Sequence, residues 1–133
     1  MLRIIDLGGN PEDTNYLFLG DYIDRGNFSV EVLLLLYSMK ICFPEKIIML
    51  RGNHESSQLA QFFNFESEVL SKFDADIFDL FIMSFNYLPL CCIMNEKFLA
   101  IHAGISPDFI NLEDIKSLNR FDEPSKVGLF WYL

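Results

Sequence analysis

Residues 16–26 read YLFLGDYIDRG, a short apolar run that passes directly into a polar segment bounded by Gly20 and Gly26. The apolar part, residues 16–19, has the length of a β-strand that is buried on both faces. Residues 47–55 read IIMLRGNHE and repeat the arrangement, with an apolar strand over residues 47–50 and a polar segment after it. Two short strands, each followed at once by charged and polar side chains, set the framework of the fold.

Residues 29–43 lie between the two predicted strands and have the length of a helix. Glu31 stands near the start of this helix, where a negative charge is favourable, and Pro44 ends it. A strand, a long helix and a strand at this spacing predict a βαβ unit with parallel strands. The C-terminal ends of both strands then meet at one edge of the sheet, which is where open α/β sheets bind ligands.

The rest of the chain predicts further short elements, so the expected fold class is α/β. They are a helix over residues 1–7 that stops at Gly8-Gly9, two or three helical pieces within residues 58–86, a hairpin of residues 90–94 and 98–101, and a short helix over residues 112–118.

Composition narrows the class of protein. The chain has 133 residues and a net charge of −9, with a pI near 4.5, which argues against a general nucleic-acid surface. Any phosphate site must therefore be made locally positive by arginine or metal.

The longest apolar run, residues 32–37, is far too short to cross a bilayer, so we expect a cytoplasmic protein without a membrane segment. Cys42, Cys91 and Cys92 have no metal-site spacing and are predicted to be buried thiols.

A third polar segment, His102-Ala103-Gly104, follows the second arm of the predicted hairpin. Asp, Asn and neutral His are suitable ligands for divalent transition metals, and a carboxylate such as Asp21 can bridge two metal ions. Metal ions so placed polarise a phosphoryl group and lower the pKa of a bound water. Arg25 offers paired donors to phosphate oxygens. His54 beside Asp24 would be an oriented imidazole that can protonate a leaving oxygen.

Each of these residues has a plainer interpretation when it is taken alone. Acids and glycines after a strand are ordinary turn residues, Asn53 could cap a helix, and Arg25 and Arg51 could be surface charges. The phenylalanines of residues 62–85 fall largely at helical spacing and are expected in the core. The nearby acids are expected to be solvated; they are Glu66, Glu68, Asp74 and Asp76. The joint pattern, not any single residue, therefore favours metal-assisted hydrolysis of a phosphate ester.

The motifs GDYIDRG and LRGNHE, in this order and at this separation, resemble the phosphoprotein phosphatase family of serine/threonine phosphatases. Within that family, the segments FNYLPL, MNEKFLAIHAGISP and NRFDEP look most like the calcineurin catalytic subunit. The resemblance covers nearly the whole chain. It implies that residues 1–133 are part of a single catalytic domain, a partial metallophosphatase-type sandwich of two β-sheets flanked by helices, with the βαβ unit at its start.

The resemblance also implies a role for each candidate residue. Asp21 would bridge the two metal ions, and Asn53 and His102 would bind the second of them. His54 would be the general acid, oriented by Asp24. Arg25 would bind the substrate phosphate, and the metals would be an iron/zinc pair or manganese. Water would attack phosphoserine or phosphothreonine esters directly, and a calcineurin B-like regulatory subunit and calmodulin are the implied partners, through regions outside these residues.

The sequence departs from the family pattern at both ends. It lacks the opening GDxHG motif, whose Asp and His hold the first metal, and Trp131 is not followed by Ser-Asp-Pro. We therefore expect an incomplete first-metal site and little phosphatase activity from these residues alone. Three interpretations remain: a fragment of an active phosphatase, a non-catalytic module that binds phosphoproteins, and a broader metallophosphoesterase acting on nucleotides. LRGNHE together with FNYLPL favours a protein phosphatase over the third.

Overall fold

The computed structural model describes residues 1–107, 109–124 and 130. Within them the fold is a mixture of helices and two small sheets. In chain order the elements are α1 (Leu2–Gly8), β1 (Tyr16–Phe18), α2 (Ser29–Cys42), β2 (Ile47–Met49), α3 (Ser57–Phe62), α4 (Phe65–Lys72), α5 (Ala75–Phe85), β3 (Cys91–Met94), β4 (Phe98–Ile101) and α6 (Leu112–Lys116).

The predicted βαβ unit is confirmed. β1 and β2 are parallel, with Tyr16 opposite Ile47 and Phe18 opposite Met49, and α2 connects them. The Leu50 N–H donates to the Phe18 carbonyl at 2.8 Å, so the pairing continues past the ends of both strands. The two polar segments therefore leave the sheet at the same edge.

The first sheet and helices α2 to α5 enclose the larger hydrophobic core. α2 buries one side completely, since Val30, Leu33 and Leu36 lie inside while Leu34 is exposed. The first turn of this helix has no side-chain cap of its own. Instead Glu68 of α4 accepts a hydrogen bond from the Val30 N–H at 3.0 Å and satisfies one of the free donors of the helix start.

The second sheet is the predicted hairpin. β3 and β4 are antiparallel, with Cys91 opposite Ile101 and Met94 opposite Phe98. Asn95 and Glu96 both have positive φ angles, 52° and 55°, which is the backbone of a type I′ turn. The hairpin and α6 enclose a separate, smaller hydrophobic cluster around Leu90 and Ile115. The described part of the chain therefore holds two hydrophobic clusters, one for each sheet.

Four expectations about burial are wrong. β1 is not buried on both faces, because Leu17 and Phe18 are only partly covered and Leu19, beyond the strand, is exposed. Cys42 is exposed and the other two cysteines are half-buried, so the thiols are not core residues. Phe62 and Phe73, which the helical spacing placed in the core, are exposed. Glu68 is buried, not solvated.

Candidate active site

The loop that follows β1 has an unusual backbone. The backbone φ angles of Asp21, Asp24 and Arg25 are 58°, 70° and 59°. They fall in the left-handed region, which residues other than glycine rarely adopt. Such conformations cost about 1–3 kcal/mol each and persist only where the surroundings hold them. The loop is therefore fixed by contacts from outside its own segment.

His102 brings the second sheet to this loop. Its Nδ1 lies 2.7 Å from the Leu19 carbonyl, which can only accept, so Nδ1 carries the proton. Its Nε2 lies 3.1 Å from Asn53 Oδ1 and 3.3 Å from Asp21 Oδ1. The three residues predicted as metal ligands thus meet, although they come from loops 19–26, 51–55 and 102–104.

This meeting point suits a cation. With Nδ1 protonated, neutral imidazole presents a lone pair at Nε2, facing the oxygens of Asp21 and Asn53. Three electron-rich atoms grouped around one point can bind a metal ion together. Adjacent ligand atoms bound at about 2.1 Å to one ion lie about 3 Å apart, which matches the observed separations. Among the described residues no three His, Cys, Asp or Glu side chains cluster in this way, because the third ligand here is an amide.

His54 forms the second part of the site. Its Nδ1 lies 2.6 Å from Asp24 Oδ2, and both side chains are almost completely buried. The other oxygen of Asp24 accepts the Phe65 N–H at 3.1 Å. The predicted pairing of His54 with Asp24 is therefore present, and it fixes the orientation of the imidazole ring.

Arg25 is exposed, with its guanidinium 5.3 Å from the centre of the Phe63 ring. The same ring packs against His54, with centroids 5.0 Å apart. Asn64 accepts the Arg25 N–H at 2.8 Å and donates to the Gly26 carbonyl at 2.6 Å. The junction between α3 and α4 therefore holds the Arg25 end of the loop, and neither Phe63 nor Asn64 was singled out from the sequence for this role.

Two residues that sequence reasoning passed over are also central. Glu55 is completely buried and accepts backbone N–H groups from both loops of the first sheet. Burial raises the pKa of Glu55, while those N–H groups act in the opposite direction. Arg51 is buried too, so its interpretation as a surface charge is wrong; its side chain donates to the carbonyls of Glu55 and Arg120. Both residues stand in the motif RGNHE, close to the predicted ligand Asn53. That position was the signal in the sequence that could have marked them as part of the site.

Comparison with known proteins agrees with this geometry. The family profile described as Calcineurin-like phosphoesterase matches residues 1–133. The chain belongs to the calcineurin-like phosphoesterase family.

Its relatives within that family include protein phosphatases of Saccharomyces cerevisiae. The chain is 48% identical over 129 residues to the serine/threonine-protein phosphatase 2B catalytic subunit A2 and 45% identical to subunit A1. These matches cover 97% of the chain but only 21% and 23% of the two subunits. The chain therefore spans about a fifth of the length of these relatives.

A solved structure shows the same fold. It is a protein serine/threonine phosphatase from Saccharomyces cerevisiae with similarity to human phosphatase PP5, with a TM-score of 0.92 and 38% sequence identity. The match covers 98% of the chain and 42% of that structure. The phosphoesterase fold expected from the two motifs is confirmed. None of the helices among the described residues is long and apolar enough to span a membrane.

Proposed function

We propose that this chain contributes to the metal-dependent hydrolysis of phosphoserine and phosphothreonine esters in proteins. One observation carries the proposal: His102 Nε2 lies 3.1 Å from Asn53 Oδ1 and 3.3 Å from Asp21 Oδ1, beside the buried His54–Asp24 pair. The printed names of the relatives, serine/threonine-protein phosphatases, support the substrate class.

The residues have separate tasks in this proposal. Asp21, Asn53 and His102 hold a metal ion, with Asp21 able to bridge to a second. Bound metal ions of this class polarise a phosphoryl group and lower the pKa of water. Manganese or an iron/zinc pair fits a donor set that mixes carboxylate, amide and imidazole.

The protein's own groups handle the proton and the phosphate. Because Asp24 engages Nδ1 of His54, Nε2 is the ring nitrogen left to protonate the alcohol oxygen as it leaves the phosphorus. Arg25 binds the phosphate oxygens through its paired donors. A water molecule attacks the phosphorus, and the products are the serine or threonine hydroxyl and inorganic phosphate.

The remaining expectations are part of the same proposal. Residues 1–133 form one part of a catalytic domain, and the protein acts in the cytoplasm on phosphoproteins. A calcineurin B-like subunit and calmodulin are the proposed regulators; the printed names of the relatives, which call them catalytic subunits, support a regulatory subunit in general.

A chimera tests the function directly. The matched 129 residues of the yeast 2B catalytic subunit A2 are replaced by this chain, and hydrolysis of a phosphoserine peptide is measured with Mn²⁺. We expect hydrolysis by the chimera and its loss in the same chimera carrying His54→Asn. A folded chimera that binds Mn²⁺ and the peptide without hydrolysing it would instead favour the non-catalytic module.

A further inference from the structure

Glu55 connects the two loops that carry Asp21 and Asn53. Its Oε2 accepts the N–H of Asp21 at 2.8 Å and the N–H of Gly52 at 2.9 Å, and its Oε1 accepts the N–H of Tyr22 at 2.8 Å. The side chain is completely buried. A carboxylate that accepts three N–H groups away from water makes strong hydrogen bonds, because each is assisted by its charge.

The Asp21 backbone needs such a partner. Its φ angle of 58° is unfavourable for a residue with a side chain, so an external contact must hold it. The carboxylate of Asp21 can face His102 Nε2, at 3.3 Å, only while this backbone is kept in place. The same oxygen accepts the His54 N–H at 3.3 Å, which links it to the second loop again.

The packing around Gly52 gives an independent sign of this constraint. A Cβ at Gly52 would lie 2.5 Å from Asp21 N and Oδ1 and 2.7 Å from Glu55 Oε2. The backbone of Gly52 is therefore packed closely against Asp21 and the carboxylate of Glu55. Little space is left for the Asp21 loop to move.

We propose that Glu55 is a positioning residue for the cation site, which holds the Asp21 carboxylate against His102 and Asn53. This inference rests on the proposed function, specifically on a divalent ion bound by Asp21, Asn53 and His102. Glu55 touches neither the substrate nor the ion in this arrangement. Its contribution is to keep the ligands in place before the ion arrives, and metal affinity depends on such supporting groups.

Glu55→Gln is the appropriate substitution because it preserves size and removes the charge. In either orientation of the introduced amide, its NH₂ group faces at least one backbone N–H, of Tyr22 or of Asp21 and Gly52. Two donors that face each other repel, so the loop must shift. Glu68→Gln is the matched control: Glu68 is a buried carboxylate that also accepts a backbone N–H, from Val30, but it lies among α2 and α4.

The experiment measures Mn²⁺ binding to the 133-residue chain by water-proton relaxation for the wild type and both variants. We expect Glu55→Gln to weaken Mn²⁺ binding about 10- to 100-fold, the usual effect of losing a supporting group. Glu68→Gln should bind Mn²⁺ like the wild type, even though both variants lose thermal stability. Amide NMR shifts of Asp21, Tyr22 and Gly52 should move in Glu55→Gln alone.

The outcomes separate this inference from the proposed function. Equal Mn²⁺ affinity in the wild type and Glu55→Gln would overturn the role of Glu55 and leave the proposed function standing. A wild type that binds no Mn²⁺ would overturn the cation site on which this inference rests, and hydrolysis by the chimera would then decide the proposed function separately. Equal weakening by Glu68→Gln would show that lost stability, not positioning, lowers the affinity. If Glu55→Gln does not fold, Glu55→Asp, which keeps the charge on a shorter side chain, is compared in the same way and should bind Mn²⁺ more weakly than the wild type.

Discussion

Asp24 holds His54 by its Oδ2, 2.6 Å from Nδ1 of the ring, and this carboxylate is held in turn by the Phe65 N–H on Oδ1. The Asp24 side chain has no exposed surface. Each oxygen of the carboxylate thus has a donor of its own, one from α4 and one from the imidazole. The ring of His54 is therefore fixed by a chain of contacts that ends in the main chain of a helix.

Asp24→Asn should disturb one of the two contacts, because the introduced NH₂ group must face either the Phe65 N–H or the imidazole. We expect a loss of about 1–3 kcal/mol in the free energy of unfolding, the cost of leaving a buried donor unsatisfied. In the yeast chimera, kcat should fall about 100- to 10,000-fold, as is usual when a proton-transfer group is impaired. Urea unfolding and phosphopeptide hydrolysis are the measurements.

Asp74→Asn is the matched control. Asp74 caps α5 by accepting the Ile77 N–H at 3.0 Å, and asparagine caps helices as well as aspartate does. This variant should retain wild-type stability and kcat. A similar fall in kcat for both variants would contradict the special role of Asp24.

The chain contains two histidines, and they should respond differently to substitution. His102→Gln removes a proposed metal ligand, so Mn²⁺ binding to the isolated chain should weaken about 10-fold or more. His54→Gln should leave Mn²⁺ binding unchanged, because the imidazole of His54 is engaged with Asp24 and is not a ligand. Isothermal titration with Mn²⁺ makes the comparison, and weakening by both substitutions or by neither would oppose the assignment.

Gly52 should not tolerate a side chain. The Cβ of Gly52→Ala would lie 2.5 Å from Asp21 backbone and side-chain atoms, so we expect a loss of about 1–3 kcal/mol in stability. Gly26→Ala is the control, since a Cβ there meets nothing within 4 Å and should change stability by less than about 0.5 kcal/mol. Thermal unfolding of the two variants measures the difference, and equal stability would show that the loops can separate at little cost.

Glu68 should make stability depend on pH under acid conditions. Burial raises the pKa of Glu68, but hydrogen bonds from Lys72, the Val30 N–H and Ser29 outweigh burial, and the pKa lies below its ordinary value of 4.5. A lowered folded-state pKa means that the charged form stabilises the fold above the ordinary value and that this contribution disappears as the pH falls below it.

The difference in unfolding free energy between wild type and Glu68→Gln should therefore be about 1–3 kcal/mol near neutral pH and shrink towards zero in acid. Urea unfolding of both proteins across this range measures it. A difference that stays constant with pH would mean that the charge of Glu68 does not contribute.

The meeting of the loops after β1 and β2 could be predicted from the sequence, because parallel strands place their C-terminal ends at one edge. The apolar strands 16–18 and 47–49 and the helix between them were sufficient for that. His102 is different: its contact with the Leu19 carbonyl spans 83 positions. Nothing in the local pattern gives such a contact, and the resemblance to a known family implied only that His102 lies with Asn53 and Asp21.

The hydrogen-bond partners of the charged residues inside the protein could not be predicted. Glu55, Arg51 and Glu68 have side chains that normally lie in water, yet each is buried and hydrogen-bonds to a backbone group distant in sequence. A sequence shows the charge of a residue but not the N–H or carbonyl that will receive it. Phe62 shows a related limit, since its helix ends immediately after it and the ring is left exposed.

The two hydrophobic clusters, one beneath each sheet, give the cation site a further consequence. Asp21 and Asn53 belong to the half that contains the βαβ unit, and His102 belongs to the half that contains the hairpin and α6. An ion bound by all three would therefore cross-link the two halves. Without the ion, only direct hydrogen bonds such as those of His102 with Leu19 and of Arg51 with Arg120 join the halves, so we expect the hairpin half to melt first. With it, both should melt in a single cooperative step at a higher temperature, so the ion would contribute to the architecture as well as to the chemistry.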